Sequence, residues 1–202
     1  MKNKIHKFIY LNDVHVKLIS INDIEEETVS KRTYLEIKRL ATEMYGTRDW
    51  TIEKNSKGKP FFPNNKGYFF SVSHTEEMVV IAMCKGKSIG IDIESIHKIS
   101  DKVIKKYYSD AEKESISQYN GDSKKIEVKI WTLKEAHCKC TGTGLDKFSL
   151  RWDSINQTKM EMESRQVENY IISVCKKWAK QNKYILYKIL EKIMKEKYIH
   201  DI

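Results

Sequence analysis

The stretch YFFSVSHTEEMVVIAMCKGKSIGIDIE, residues 68–94, holds three apolar runs, 68–74, 78–84 and 88–94, separated by turn-forming residues. The length and β-branched content of each run are those of a strand, and three adjacent strands are the simplest reading. Side chains alternate faces along a strand, so in the third run Asp92 and Glu94 point one way while Ile91 and Ile93 pack behind them. Two carboxylates then share one small region. Like charges so placed are tolerable if they are solvated, if one is protonated, or if a cation lies between them. An edge strand with its acids facing water meets the first condition with no function at all.

Working outward, residues 26–45 repeat apolar side chains at three- and four-residue intervals and stop at Gly46, which predicts an amphipathic helix. The turn-rich segment 55–67 contains the only two prolines, Pro60 and Pro63, and predicts a structured loop. On the other side, 98–120 reads as helical or turn-like. Residues 125–140 read as a second long helix, ended by Thr-Gly-Thr-Gly at 141–144. Segments 148–153 and 170–175 are expected to be strands, and the lysine-rich end, 176–200, fits either a strand pair or a basic amphipathic helix. No internal repeat and no Gly-, Ser- or Pro-rich linker divides the chain.

The 202 residues, 40% of them hydrophobic, suffice for one substantial domain or two small lobes sharing a core. No apolar run approaches the roughly 18 to 20 residues that span a bilayer, and the first residues lack the apolar core of a secretory signal, so a cytoplasmic protein with no membrane partner is expected. Four cysteines are too few for a disulfide framework and suit a reducing compartment. The formal charge of +9, from 37 basic and 28 acidic residues, steers anionic partners toward the molecule without saying which anion.

Three further sets of residues bear on chemistry. Trp131, Glu135 and Lys139 are four apart and lie along one helix face. A Glu–Lys pair of that spacing is a common surface feature worth only about 0.3 to 0.5 kcal/mol, but a tryptophan beside it suggests a partly buried face, where a charge needs a partner. Ser73 and His74 close the first strand of the opening stretch, and Gly58-Lys59-Pro60 sits in the loop before it; all supply donors suited to phosphate oxygens. A lone histidine there is more often a structural residue. The Ser-His pair is a poor hydrolase, because strand neighbours face opposite ways and cannot hold the hydrogen bond a nucleophile and base require.

Taken in order, Gly58-Lys59-Pro60, Ser73-His74, Gly90-Ile91-Asp92-Ile93-Glu94 and Trp131-Thr132-Leu133-Lys134-Glu135-Ala136-His137-Cys138-Lys139 resemble the signature of the phosphopantetheinyl transferases. The chain's length places it with the surfactin-synthetase-activating type, a pseudo-dimer in one chain, rather than with the short trimeric type. The resemblance implies an α+β fold of two pseudo-symmetric lobes, each an antiparallel sheet with a long helix, with the active site at their junction. The lobes are expected at 1–95 and 96–202. It implies transfer of 4'-phosphopantetheine from coenzyme A to a serine of an acyl or peptidyl carrier protein, with Mg²⁺ held by Asp92, Glu94 and Glu135. By the same resemblance Lys139 lies near the pyrophosphate, Lys59 and Pro60 on the adenine side, and Ser73 and His74 at the phosphates. Glu112, in Tyr107-Tyr108-Ser109-Asp110-Ala111-Glu112, matches an element whose glutamate lies near the reacting centre, so Glu135 and Glu112 are both candidates to take the serine proton. The basic pair expected to grip the 3'-phosphate has no secure match, with Lys31 or Arg32 the nearest. A pseudo-dimer has no need to self-associate, so a monomer is expected.

Physics agrees with a cation. Coenzyme A brings a pyrophosphate and a 3'-phosphate, and each pair of like unit charges about 4 Å apart costs on the order of 4 kcal/mol at an effective dielectric of 20. Hard carboxylate oxygens suit Mg²⁺. The rival reading is a basic nucleic-acid-binding module with Tyr68, Phe69 and Phe70 as a stacking platform, but these read equally well as strand core and no nucleic-acid motif accompanies them. A different magnesium-dependent nucleotide enzyme would need a glycine-rich phosphate loop, and the sequence has none.

Overall fold

The computed structural model describes residues 6–11, 14–21, 28–146, 149–157 and 159–178. The elements in chain order are β1 (His6–Leu11), β2 (Val14–Ser20), α1 (Val29–Tyr45), β3 (Glu53–Lys54), β4 (Pro60–Phe61), β5 (Tyr68–His74), β6 (Met78–Lys85), β7 (Lys87–Ser95), α2 (Asp101–Tyr107), α3 (Asp110–Ser117), α4 (Ser123–Thr141), β8 (Glu161–Val167) and β9 (Tyr170–Trp178). The fold is α+β, with two antiparallel main sheets, one ordered β1-β2-β6-β5 and the other β7-β9-β8, each carrying one long helix.

The alternation of apolar side chains sets the layering. On β6, Val80 and Ala82 face the second sheet, where Ile89, Ile91 and Ile93 of β7 and Ile172 and Val174 of β9 meet them. The intervening Val79, Ile81 and Met83 face the opposite way, onto Ile37, Leu40 and Ala41 of α1 and the aromatic group Trp50, Phe62 and Phe70. On β9, Ile171 and Cys175 pack toward α4. The two sheets are thus sandwiched between α1 and α4, and each fully buried isoleucine of β7 contributes roughly 1.5–3 kcal/mol. Lys17 of β2, 1% exposed, is admitted beneath α1 because Glu36 accepts its ammonium at 2.6 Å.

Several expectations are corrected. The runs 68–74 and 78–84 form a hairpin, but the third does not join them: β6 spends its other edge on β2, so β7 crosses at Gly86 to pair with β9. By pairing, the chain leaves the first sheet at Gly86. Residues 149–151 form a short 3-10 turn instead of a strand, because the backbone around Trp152 turns in to α4: its carbonyl accepts from Lys134 Nζ and its ring stacks 4.0 Å over His137. Strands β1, β2 and β8, and the two-residue strands β3 and β4, are additional to the sequence reading. The expected helix 26–45 begins at Val29 with Thr28 as N-cap, and the segment beyond 178 lies outside the described residues. Phe70 is 2% exposed and Phe69 and Tyr68 are partly buried, so these rings are strand core and not a stacking platform.

Helix α4 lies on β7 with backbones nearly touching. A β-carbon at Gly90 would fall inside the van der Waals radii of Ala136 O and Cys140 N, both main-chain atoms of the helix. Gly90→Ala is therefore expected to destabilise the fold by about 3 kcal/mol or more, the upper range for overpacking against atoms that cannot rotate away. Urea unfolding checks this, and a loss under about 1 kcal/mol would mean that the helix can shift at no cost.

Candidate active site

The edge strands β5 and β7, from different sheets, lie side by side without a hydrogen-bonded ladder between them and are joined instead by serines. Ser71 Oγ accepts from Ile91 N at 3.1 Å, and Ser73 Oγ donates to Asp92 Oδ1 at 2.7 Å. Both serines face inward because they are two apart on β5. Helix α4 then delivers Lys139, whose Nζ is 2.6 Å from Asp92 Oδ1 and 2.8 Å from Ser73 Oγ. One turn earlier Glu135 places Oε2 3.9 Å from the same ammonium. The four-residue spacing and the strand alternation thus bring Ser73, Asp92, Glu135 and Lys139 to one point between the sheets.

The acids there have too little positive charge for their number. Burial first, and then the neighbouring Asp92 carboxylate, push Glu135 up to about 7, with Lys139 opposing. The same two causes raise Glu94. Asp92 is 1% exposed, and its Oδ2 is buried with no hydrogen-bond donor among the described residues. An unpartnered buried carboxylate oxygen is costly unless a cation meets it. Among the described residues no three His, Cys, Asp or Glu side chains are gathered as a ready metal cluster; Lys139 lies where it neutralises part of the charge. The donor set itself, hard carboxylate oxygens with one oxygen unspent, fits a magnesium ion.

Beside this group opens a cavity of about 380 Å³. The 57–60 loop and Phe70 and Val72 of β5 form one wall, and the end of α4 with the turn to Leu145 forms the other. Pro60 and Lys139 therefore look into the same space. Lys59 lines it too, and its ammonium donates to Ile89 O and Cys140 O, each at 3.3 Å.

Three of the expected site residues sit apart. Glu112 is fully buried, and both of its oxygens are taken: Oε2 by Ser109 N and Lys134 Nζ, each at 2.8 Å, and Oε1 by Ser154 N and Oγ at 2.8 and 2.7 Å. Ser109-x-x-Glu112 is the capping box of α3, a pattern visible in the sequence. With four donors on it, Glu112 has no lone pair to offer a proton. His74 is exposed at the end of β5, on the opposite side from Ser73, so it is not a core histidine. Arg32 lies on α1 with its guanidinium 3.1 Å from Glu36, and Lys31 is exposed beside it; neither belongs to the cavity wall. The sequence reading passed over Ser71, whose inward face follows from that of Ser73, and Lys134, the internal lysine of the Trp131–Lys139 motif.

Known proteins show which family the chain resembles. The profile of the 4'-phosphopantetheinyl transferase superfamily matches residues 88–199, more than half of the chain. The 4'-phosphopantetheinyl transferase Sfp of Bacillus subtilis (strain 168) is 28% identical over 178 residues, covering 84% of this chain and 73% of its own. The 4'-phosphopantetheinyl transferase gsp of Aneurinibacillus migulanus is 34% identical over 112 residues, 54% of this chain and 45% of its own. HetI of a Nostoc species, named as the same enzyme, is 33% identical over 102 residues, 48% and 43% of the two chains. The chain belongs to the 4'-phosphopantetheinyl transferase superfamily, as an enzyme of the surfactin-synthetase-activating type.

Proposed function

We propose that the protein moves the 4'-phosphopantetheine group of coenzyme A onto a serine hydroxyl of an acyl or peptidyl carrier protein, releasing adenosine 3',5'-bisphosphate. The observation that carries this reading is Lys139 bound to Asp92 and close to Glu135, with Glu94 near enough to feel the charge of Asp92, beside a cavity large enough for part of a nucleotide-bearing substrate. Fatty-acid, polyketide and nonribosomal-peptide carriers all present their serine beside an acidic helix, and a chain of charge +9 suits each.

In the reaction the serine oxygen bonds to the β-phosphorus as the bond from that phosphorus to the bridging oxygen breaks, and the bridging oxygen leaves with the nucleotide. Asp92, Glu94 and Glu135 would hold Mg²⁺, which when bound stabilises the negative charge of the pyrophosphate. Lys139, which lines the cavity, would oppose the charge that grows on the leaving oxygen. Glu135 is the better candidate for the serine proton, because the oxygens of Glu112 are already occupied by donors. Ser73 holds Asp92 and Lys139 together from the opposite sheet and so contributes to the phosphate site by positioning. His74 is not among the residues lining the cavity, but its imidazole is exposed at the end of β5 next to Ser73, and its proposed role is to meet a coenzyme A phosphate from there.

Incubation with coenzyme A, Mg²⁺ and an apo carrier protein should raise the carrier's mass by one phosphopantetheine group, with chelation of the metal stopping the gain. Asp92→Ala should lower the rate at least about a hundredfold with the fold intact, since it removes a metal ligand and the anchor of Lys139. Near-normal turnover by that folded variant at saturating Mg²⁺ would sink the assignment. For His74→Ala, coenzyme A binding should weaken by about 1–3 kcal/mol, the worth of a hydrogen bond to a charged group. Titration calorimetry decides the partner: an equal loss for dephospho-coenzyme A would remove His74 from the 3'-phosphate.

The acid cluster also predicts a pH dependence of stability in the metal-free protein. Because the folded state raises Glu135 from 4.5 to about 7, its contribution is intact below about pH 4.5 and is lost as the pH rises through 7, a fall of roughly 3 kcal/mol. Glu135→Gln removes that term. The variant should therefore gain on the wild type between pH 5 and 8, as read from urea unfolding without metal, and a difference that stays constant with pH would contradict the origin given for the shift.

A further inference from the structure

Lys59 stands at a place where three parts of the molecule meet. It belongs to the loop before β4, in the first half of the chain, yet its ammonium reaches Ile89 O on β7 and Cys140 O in the last turn of α4, both at 3.3 Å. Cys140 is the residue next to Lys139, and Ile89 lies three before Asp92. The last carbonyls of a helix have no partner within it and carry the negative end of its dipole, so a cation there both satisfies a backbone group and meets a favourable field. Ser88 Oγ, at 2.6 Å, is the other donor to Cys140 O. A second lysine of the same loop repeats the crossing, with Lys57 Nζ 2.9 Å from Thr143 O. Burial holds the Lys59 ammonium below its usual pKa, as expected for a group enclosed among carbonyls.

We propose that Lys59 is a positioning residue for the transfer: its ammonium clips the end of α4 to β7 and to the loop before β4, and so fixes where Lys139 meets Asp92. The inference rests on the transferase reading for its kinetic consequence and on the hydrogen bonds alone for the clip. A charge aimed at the nucleotide would point into the cavity. This one is spent on two main-chain oxygens, of Ile89 and Cys140, on the elements that carry the acids and the lysine, and neither of those residues lines the cavity. A displacement of Lys139 by about 1 Å is enough to cost on the order of a hundredfold in rate without touching the binding of the rest of the substrate.

The test is Lys59→Met, which keeps the stem and removes the donors, beside Lys59→Arg, which keeps the charge. In the ligand-free protein, amide hydrogen exchange at Cys140 to Gly142 should quicken by about tenfold or more in the methionine variant and return toward the wild-type rate with arginine. With coenzyme A, Mg²⁺ and an apo carrier, kcat should fall about tenfold or more, while the calorimetric Kd for coenzyme A stays within about twofold. Unchanged exchange, or a Kd raised about tenfold at unchanged kcat, would overturn the proposal, the latter by placing the charge on the ligand. If the wild type itself transfers nothing, the transferase reading fails while the exchange and binding measurements still decide the clip. Should Lys59→Met not fold, Lys59→Gln, which retains a neutral donor, is read by the same three measurements with the same criteria.

Discussion

The contact on which the rest of the molecule depends is the backbone apposition of α4 and β7 at Gly90. A helix normally rides on a sheet at the distance its side chains impose. Here one residue has no side chain, and the helix sinks until Ala136 and Cys140 face the strand's main chain directly. That depth is what allows Glu135 and Lys139 to reach Asp92, because those residues lie on the flank of α4 that turns toward β5, while His137, Cys138 and Ala136 are buried beneath. A larger separation would leave the Lys139 ammonium short of Asp92 and Ser73 and would return Glu135 to water as an ordinary surface acid.

The first sheet contributes to the same point from the other side. Its edge strand β5 pairs with β6 along one side only, so the inward serines are free to bond across to β7. Ser71 meets a main-chain amide and sets the spacing of the two strands. Ser73, two residues on, then has its hydroxyl at the right depth to lie between Asp92 and Lys139. The site is therefore a junction between sheets. Neither sheet alone holds a complete set of groups, since Ser73 belongs to one and Asp92, Glu94, Glu135 and Lys139 to the other.

How far this was legible in the sequence depended on whether a pattern was local. The alternation in Ile91-Asp92-Ile93-Glu94 and the four-residue step from Glu135 to Lys139 are local, and the structure has both. The helices at 29–45 and 123–141, each closed by a positive-φ glycine, were readable for the same reason. The partner of β7 was not, because strand pairing is decided by distant residues: β2 hides its core character behind Lys17, whose burial makes sense only once Glu36 on α1 lies above it. Strand β8, Glu-Met-Glu-Ser-Arg-Gln-Val, is polar because it is an edge, so its composition reads as loop. Glu112 shows one local pattern with two meanings: Ser109-x-x-Glu112 is a helix cap and also part of the motif shared with the family, and the four donors on Glu112 are visible only in the fold.

Burial also sorts the lysines that the motif presents as equals. Lys134 is fully enclosed, its charge spent on Glu112 and on the carbonyl of Trp152, with the ring of Tyr108 at 5.6 Å. Such a pair is costly to desolvate and gains little net stability, but breaking it would strand a charge in the core, so it fixes the rotation of α4 about its own axis. Lys139, five residues on, keeps 26% of its side chain exposed and shares its ammonium among Asp92, Ser73 and Glu135. A cation held by several partners in a site open to solvent can shift toward a new anion with little loss, because each bond it leaves is replaced by another. A cation buried in a single pair cannot. The same physical criterion, whether the protein alone already satisfies the charge, separates the lysine that builds the helix's seat from the one left available to a phosphate.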